Sequence, residues 1–291
     1  MEALLQHSLT GLMMGGAYAL MAMAIVLVYK STSVFNFATG ALMMIGAFIC
    51  WSLLEWGIPV WISVVIAAGA SYLVGLLAER LALRPLIAQP IIAAIMATLA
   101  LSILFHGLAL LTWGPCTRAF ATPIFPAGGL SIGPATVSGS LLGSFIIAVI
   151  MFGVLTFFFQ RTHRGLSMRA TAESHLLAQS QGIKVTSVFG LSWAIAAAVC
   201  AFAGISLADR LVLGATEIAA FAFTAFPAVL LGGLDSIPGA FIGGLIIGLA
   251  VGISSGYISP LFGHIVPYII LLIVLIIRPE GLWGLRRIER I

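Results

Sequence analysis

Charge is what this sequence has least of. Of its 291 residues, 13 are Lys or Arg and 9 are Asp or Glu, 8% in all, against 62% hydrophobic residues. So few charges cannot clothe the surface of a water-soluble domain of this size, so a soluble fold is excluded and lipid is the expected solvent. Cysteine is scarce as well. Cys50, Cys116 and Cys200 stand far apart without metal-ligand spacing, and they read as small packing side chains.

The motifs of catalysis are also missing. The five histidines, His7, His106, His163, His175 and His264, form no His-Glu-x-x-His, and no two lie four apart. His106 and His264 sit in apolar stretches and read as packed or interface-facing side chains. There is no Gly-x-Ser-x-Gly, no Asp-rich cluster for a metal-bound diphosphate and no P-loop. An intramembrane enzyme would lack its nucleophile, acid pair or metal, so no cofactor is expected. Any energised work must draw on another chain. Carboxylates at mid-membrane, typical of proton- or ion-driven carriers, are absent too. Glu79, Asp209, Glu217, Asp235 and Glu280 all fall at the ends of apolar segments. Asp235, between Gly233 and Pro238, reads as a cap for the following helix or else as a gating residue on a substrate path.

What is present is a series of long runs without Lys, Arg, Asp or Glu: 3–29, 31–54, 56–78, 85–117, 119–160, 185–208, 218–234 and 236–277. About 20 helical residues cross a bilayer core of about 30 Å. Continuous apolarity selects helices over the alternating strands of a barrel. No basic stretch precedes the run Leu4 to Tyr29 and no small-residue cleavage site follows it, so it reads as a retained helix rather than a signal peptide. The expected fold is an all-α polytopic bundle forming a single domain over residues 1–291.

Cytoplasmic loops carry an excess of Lys and Arg. With the N-terminus outside, Lys30, Arg80, Arg84, Arg161, Arg164, Arg169, Lys184, Arg278, Arg286, Arg287 and Arg290 share the inner face. Only Arg118 and Arg210 fall outside. The net charge of +4 thereby becomes topology, and nucleic acid is not needed to explain it. Between Arg210 and Arg278 the chain must cross an odd number of times. Three crossings, near Ala219 to Leu234, Ile237 to Ser254 and Ile265 to Ile277, give nine in all; a re-entrant hairpin plus one crossing gives seven. Pro227, Gly232, Gly233, Pro238 and Gly239 interrupt this region, as short, broken segments on a translocation pathway do. Thr112 to Gly139, with Pro115, Pro123, Pro126 and Pro134, reads as an external loop, partly ordered.

Glycines spaced by four, Gly11 and Gly15, Gly139 and Gly143, Gly239 and Gly243, and the chain Gly244, Gly248, Gly252, put smooth strips on helix faces, where membrane helices approach closely. Packing within the chain or a subunit contact would both use them.

The longest polar stretch, Arg161 to Val185, lies on the basic side. Ser167 is expected to cap a helix from Met168 to about Ser180, closed by Gly182, with Met168, Ala172 and Leu176 on one stripe and Arg169 and Glu173 beside it. Such a segment is short and weakly apolar for lipid anchoring. A plug for a groove on a soluble partner fits it better.

This stretch, "RGLSMRATAESHLLAQSQGIKV", resembles the coupling loop of permeases of branched-chain amino acid ABC importers, the LivH/LivM family. "VFNFATGALMMIGAF" from Val34, "LLGGLDSIPGAFIGGLIIG" from Leu230 and the terminal "RPEGLWG" from Arg278 resemble the LivH half in the same order. The resemblance implies a bacterial inner-membrane permease that pairs with a second, LivM-like permease. Two ABC ATPase subunits would dock beneath, and an extracytoplasmic substrate-binding protein would deliver solute by way of alternating access. It places Arg169, Ala172, Glu173, Leu176 and Gly182 at the ATPase, and Asn36, Phe37, Ala38, Gly40, Asp235, Pro238 and Gly239 near the substrate path. The chain departs from the family at Thr39, where His is common, and at Asp235, where Gly is common. Branched-chain and other amino acids, amides, urea and aromatic acids are all carried by such systems. A stand-alone secondary carrier or channel is the competing expectation.

Overall fold

Backbone amides find no water in hydrocarbon, and the apolar runs answer by bonding internally as helices. The computed structural model describes residues 2–284 apart from 88, 127, 133, 134 and 211. The helices are α1 (Glu2–Thr32), α2 (Thr39–Glu55), α3 (Val60–Ala78), α4 (Ile91–Trp113), α5 (Gly139–Arg161), α6 (His163–Glu173), α7 (His175–Ser180), α8 (Val185–Ala208), α9 (Ala215–Gly232), α10 (Ile237–Tyr257) and α11 (Pro260–Ile277). Eight of these, α1, α3 to α5 and α8 to α11, are long and apolar enough to cross a membrane, and α2 is a shorter apolar helix of 17 residues. The protein is therefore an all-α, multi-pass helical bundle. The region after Arg210 forms three separate helices, α9, α10 and α11.

The first helix is the axis of the bundle. Its residues from Gly15 to Val28 are all buried, and it packs on α10, α8, α5 and α9. The glycine strips explain the closest of these contacts. A methyl group built on Gly11 would fall 2.8 Å from the Gly248 carbonyl oxygen, and one on Gly15 would fall 2.9 Å from the Leu245 Cα. Gly252 faces Gly11, Gly248 faces Gly15 and Gly244 faces Ala19, so α1 and α10 run antiparallel with their smooth faces together. Gly239 and Gly243 meet α9 at Gly232 and Ala228. Gly139 and Gly143 instead meet the preceding loop, at Pro126 and the Phe125 ring.

Several elements differ from the sequence reading. The run 31–54 is not one helix: α1 continues to Thr32, and residues 33–38 form a non-helical break before α2. Next, α3 does not end at Ala78; a π turn (Glu79–Leu83) and a 3-10 turn (Arg84–Leu86) prolong it. Glu79 is consequently buried, and its carboxylate pairs with Arg84 at 3.1 Å, the one ion pair among the described residues. Between α4 and α5, the strands β1 (Leu130–Ile132) and β2 (Ala135–Val137) form a small antiparallel hairpin, so the 112–139 loop is partly ordered; Pro134 lies outside the described residues. Cys50 and Cys200 are buried packing residues, but Cys116 is exposed in that loop, where no helix face is available to cover it.

The contacts sort the helix termini into two ends. At one, Lys30 lies over the Phe159 ring at 5.8 Å and within electrostatic reach of Asp235 and Arg169. A cavity there is bounded by Leu76, Arg164, Ser167 and Lys184. The segment after α11 folds back on α9, with Leu282 N–H donating to the Leu231 carbonyl at 2.9 Å and Trp283 N–H to that of Gly232 at 3.3 Å. At the other end His7 meets Tyr257 edge-on at 5.8 Å. Arg118 and Leu213 exchange backbone bonds of 2.9 and 2.8 Å, and the Ile124 N–H donates to Asp209 Oδ1 at 2.7 Å. Arg118 and Arg210 stand at this second end. The other eight described basic residues, Lys30, Arg80, Arg84, Arg161, Arg164, Arg169, Lys184 and Arg278, gather at the first, while Arg286, Arg287 and Arg290 lie outside the described residues.

Candidate translocation path and docking loop

Non-helical backbone at membrane depth survives only where protein covers it or where it lines a cavity. The break between α1 and α2 meets that condition. Asn36 is fully buried; its Oδ1 accepts the Ala38 N–H at 2.9 Å and its carbonyl accepts the Thr39 hydroxyl at 2.6 Å. Its Nδ2 has no hydrogen-bond partner among the described residues. The Phe37 N–H donates to Thr98 Oγ1 on α4 at 3.3 Å. Gly40 lies against the Ala219 carbonyl and the Ala222 methyl of α9, so the start of α2 packs directly on α9.

On that surface sits an aromatic cluster. Phe226 meets Phe35 at 5.1 Å, Phe37 at 5.8 Å and Phe223 at 5.4 Å between ring centroids. Tilted and edge-on pairs of this sort interlock without a fixed polar partner. Within α9, Pro227 has no N–H to give to the Phe223 carbonyl four residues earlier. The Tyr268 hydroxyl of α11 donates to that oxygen instead, at 3.3 Å.

A cavity of about 360 Å³ runs along α1 from the second end, past His7, Thr10 and Met14 to Tyr18, with Thr224 and His264 on its other walls. Tyr18 stacks on Phe221 at 4.9 Å, so the α1 and α9 residues that bound the cavity adjoin the helix carrying the aromatic cluster. Arg210 follows Asp209 in the chain and is within electrostatic reach of Tyr18; burial pushes its guanidinium below the ordinary arginine range, and those two groups oppose that shift.

The polar loop is two helices rather than one. Thr162, not Ser167, caps the first: its Oγ1 accepts the Gly165 N–H at 3.0 Å. Ser167 lies inside the helix and donates to the His163 carbonyl. Ser174 breaks the chain, with extended backbone, and caps α7. Gly182 closes α7 at φ +80°, as expected of a residue without a Cβ. Met168, Thr171 and Ala178 face inward, whereas Leu176 is 79% and Leu177 66% exposed, and Arg169 and Glu173 are exposed beside them. Leu176 thus leaves the stripe it was expected to share with Met168, because the break at Ser174 resets the helical phase. Ala172 is half-buried and Gly182 exposed. His175 is tucked edge-on against Phe189 at 5.5 Å, and burial lowers its pKa.

The structure sets Phe37 and Gly40 against α9, with Asn36 buried in the same break. Asp235, Pro238 and Gly239 lie elsewhere, at the α9–α10 turn. Asp235 does not cap α10: Ser236 does, accepting the Gly239 N–H at 3.0 Å. Gly239 packs on Gly232, and Pro238 is exposed. Sequence reasoning missed Tyr18, Phe223, Phe226 and Arg210. The repeated Phe in "AFAFTAF" ahead of Pro227 was the available signal.

A family model described as "Branched-chain amino acid transport system / permease component" matches residues 8–275. The high-affinity branched-chain amino acid transport system permease protein BraD of Pseudomonas aeruginosa is 30% identical over 99% of this chain and 98% of its own. LivH of Escherichia coli, of the same description, is 31% identical over 99% and 97%. A probable branched-chain amino acid transport permease protein LivH of Methanocaldococcus jannaschii is 28% identical over 78% and 73%. This apolar helical bundle, matched from its first helix to its last by transport permeases, belongs to the permease-component family of branched-chain amino acid transport systems.

Proposed function

We propose that this chain is one of two permease subunits of an ATP-driven importer for branched-chain amino acids in a bacterial inner membrane. The observation that carries the reading is full-length similarity to permeases named for that substrate class. The second subunit is a LivM-like permease, two ABC ATPase subunits dock on the cytoplasmic side, and an extracytoplasmic binding protein delivers the solute.

Nine crossings, by α1 to α5 and α8 to α11, put the N-terminus outside and the C-terminus in the cytoplasm. The gathering of eight of the ten described basic residues at one end supports that orientation. Residues 161–185 then form the coupling loop. Leu176 and Leu177, with Arg169, Glu173 and the neighbouring Ala172 and Gly182, enter a groove on an ATPase, which their exposure at an aqueous face supports. Closure of the ATPases pushes this loop, and the two permeases rock about their interface. Substrate passes from the outer cavity to the aromatic cluster at Phe37 and Phe226, which gates the path alongside Asn36 and Gly40. Asp235, Pro238 and Gly239 stand at the cytoplasmic mouth, where Asp235 balances Lys30.

The test is leucine uptake and ATP hydrolysis in vesicles holding the assembled complex, with Arg169→Glu and Glu173→Arg combined. Uptake should fall by at least about tenfold, the effect of losing roughly 1.4 kcal/mol of coupling contact. Full uptake by the double variant refutes the docking face. Leucine flux through the purified chain alone, down a gradient, replaces the importer with a secondary carrier.

A further inference from the structure

The turn between α8 and α9 holds two opposite charges in succession, Asp209 and Arg210, and they do not close into an ion pair. Among the described residues no nitrogen of Arg210 comes within 4.0 Å of a carboxylate oxygen, whereas Glu79 and Arg84 close on each other at 3.1 Å. Asp209 spends Oδ1 on the Ile124 N–H. Its Oδ2 and the Arg210 Nη1 are both buried, and neither has a hydrogen-bond partner among the described residues. Buried charges left open in this way are costly unless something else pairs with them. Both stand at the end of the bundle from which the 360 Å³ cavity runs inward, and Arg210 is within electrostatic reach of Tyr18, which lines that cavity. A structural ion pair would have closed; a pair held apart suits a ligand that carries both charges.

We infer that Asp209 and Arg210 form a clamp for a zwitterionic α-amino acid, with Arg210 receiving the carboxylate and Asp209 Oδ2 the ammonium group. The inference rests on the amino-acid importer proposed above. A carboxylate and an ammonium on one carbon fit between separated opposite charges, and guanidinium–carboxylate bonds are among the stronger hydrogen bonds available. Tyr18 and Phe221 offer an aliphatic side chain an apolar wall. Since both atoms are shielded from water here, ligand reaches them when the α8–α9 turn moves against α1, a motion alternating access supplies.

The experiment uses the complete transporter in proteoliposomes with leucine-loaded binding protein, and reads leucine uptake per ATP hydrolysed. Asp209→Asn keeps the acceptor for Ile124 and loses only the charge; Arg210→Gln loses the cation, and Arg210→Lys keeps it. The expected result is that Asp209→Asn and Arg210→Gln lower the ratio about tenfold, with stimulated ATP hydrolysis retained and Arg210→Lys intermediate. Ratios within about twofold of wild type overturn the clamp, as does an equal fall of hydrolysis and uptake, which marks a structural or docking role. If Arg210→Gln does not assemble, Arg210→Lys and Asp209→Asn decide by the same criteria. A wild-type complex that moves no leucine overturns the transport reading itself, and the clamp with it.

Discussion

At the scale of single residues, burial reassigns side chains that a linear reading treats alike. His175 and His163 both belong to the polar loop, but only His175 is pressed against Phe189. Burial depresses its folded pKa below the ordinary 6.5. Between the folded and unfolded values the unfolded segment binds more protons, so α7 is most stable above about pH 6.5 and loosens as pH falls below it. Hydrogen exchange of the α7 amides, corrected for intrinsic rates, should therefore quicken on acidification from pH ~7.5 to ~5.5, and His175→Phe should flatten that difference. Equal protection at both pH values in the wild type would refute the assignment. Glu79 teaches the same lesson. Its place at the end of an apolar run was visible, but its burial was not, because a π turn carries α3 past it.

At the scale of elements, glycine spacing was legible and its meaning was not. The strips at Gly11 and Gly15 and at Gly244, Gly248 and Gly252 turn out to face one another, which fixes the close approach of α1 and α10. Gly15→Leu should destabilise the bundle by about 1–3 kcal/mol, the usual cost of overpacking, since its side chain would meet the Leu245 and Gly244 backbones, and backbone cannot rotate away. A lowered midpoint of thermal unfolding in detergent checks this; an unchanged midpoint argues that the helices separate easily. The polar 161–185 loop was recognisable as a helical segment from its polarity and from Gly182, yet its caps were misassigned. Both Thr162 and Ser174 are ordinary capping residues, and a sequence containing Thr162, Ser167 and Ser174 does not say which hydroxyls meet free amides.

For the whole molecule, topology makes a prediction with native thiols. Cys116 is exposed, and Cys50 and Cys200 are buried. A membrane-impermeant maleimide applied from outside should label Cys116 alone, whereas Ser180→Cys, in α7, should react only after the cytoplasmic side is opened. Labelling of Cys116 solely from the cytoplasm would invert the proposed orientation. The sequence by itself determined that the chain lives in lipid as helices, how its basic residues divide between two ends, and which family it resembles. These follow from composition and local spacing, since each backbone in hydrocarbon must satisfy itself. Tertiary structure alone decided that α1 is the buried axis, that the 33–38 break lies against α9, that Phe35, Phe37, Phe223 and Phe226 converge, and that Asp209 and Arg210 stay apart. Such relations join residues up to about two hundred positions distant, and among helices equally apolar on every side no periodicity names the neighbour; only the fit of small residues against backbone does.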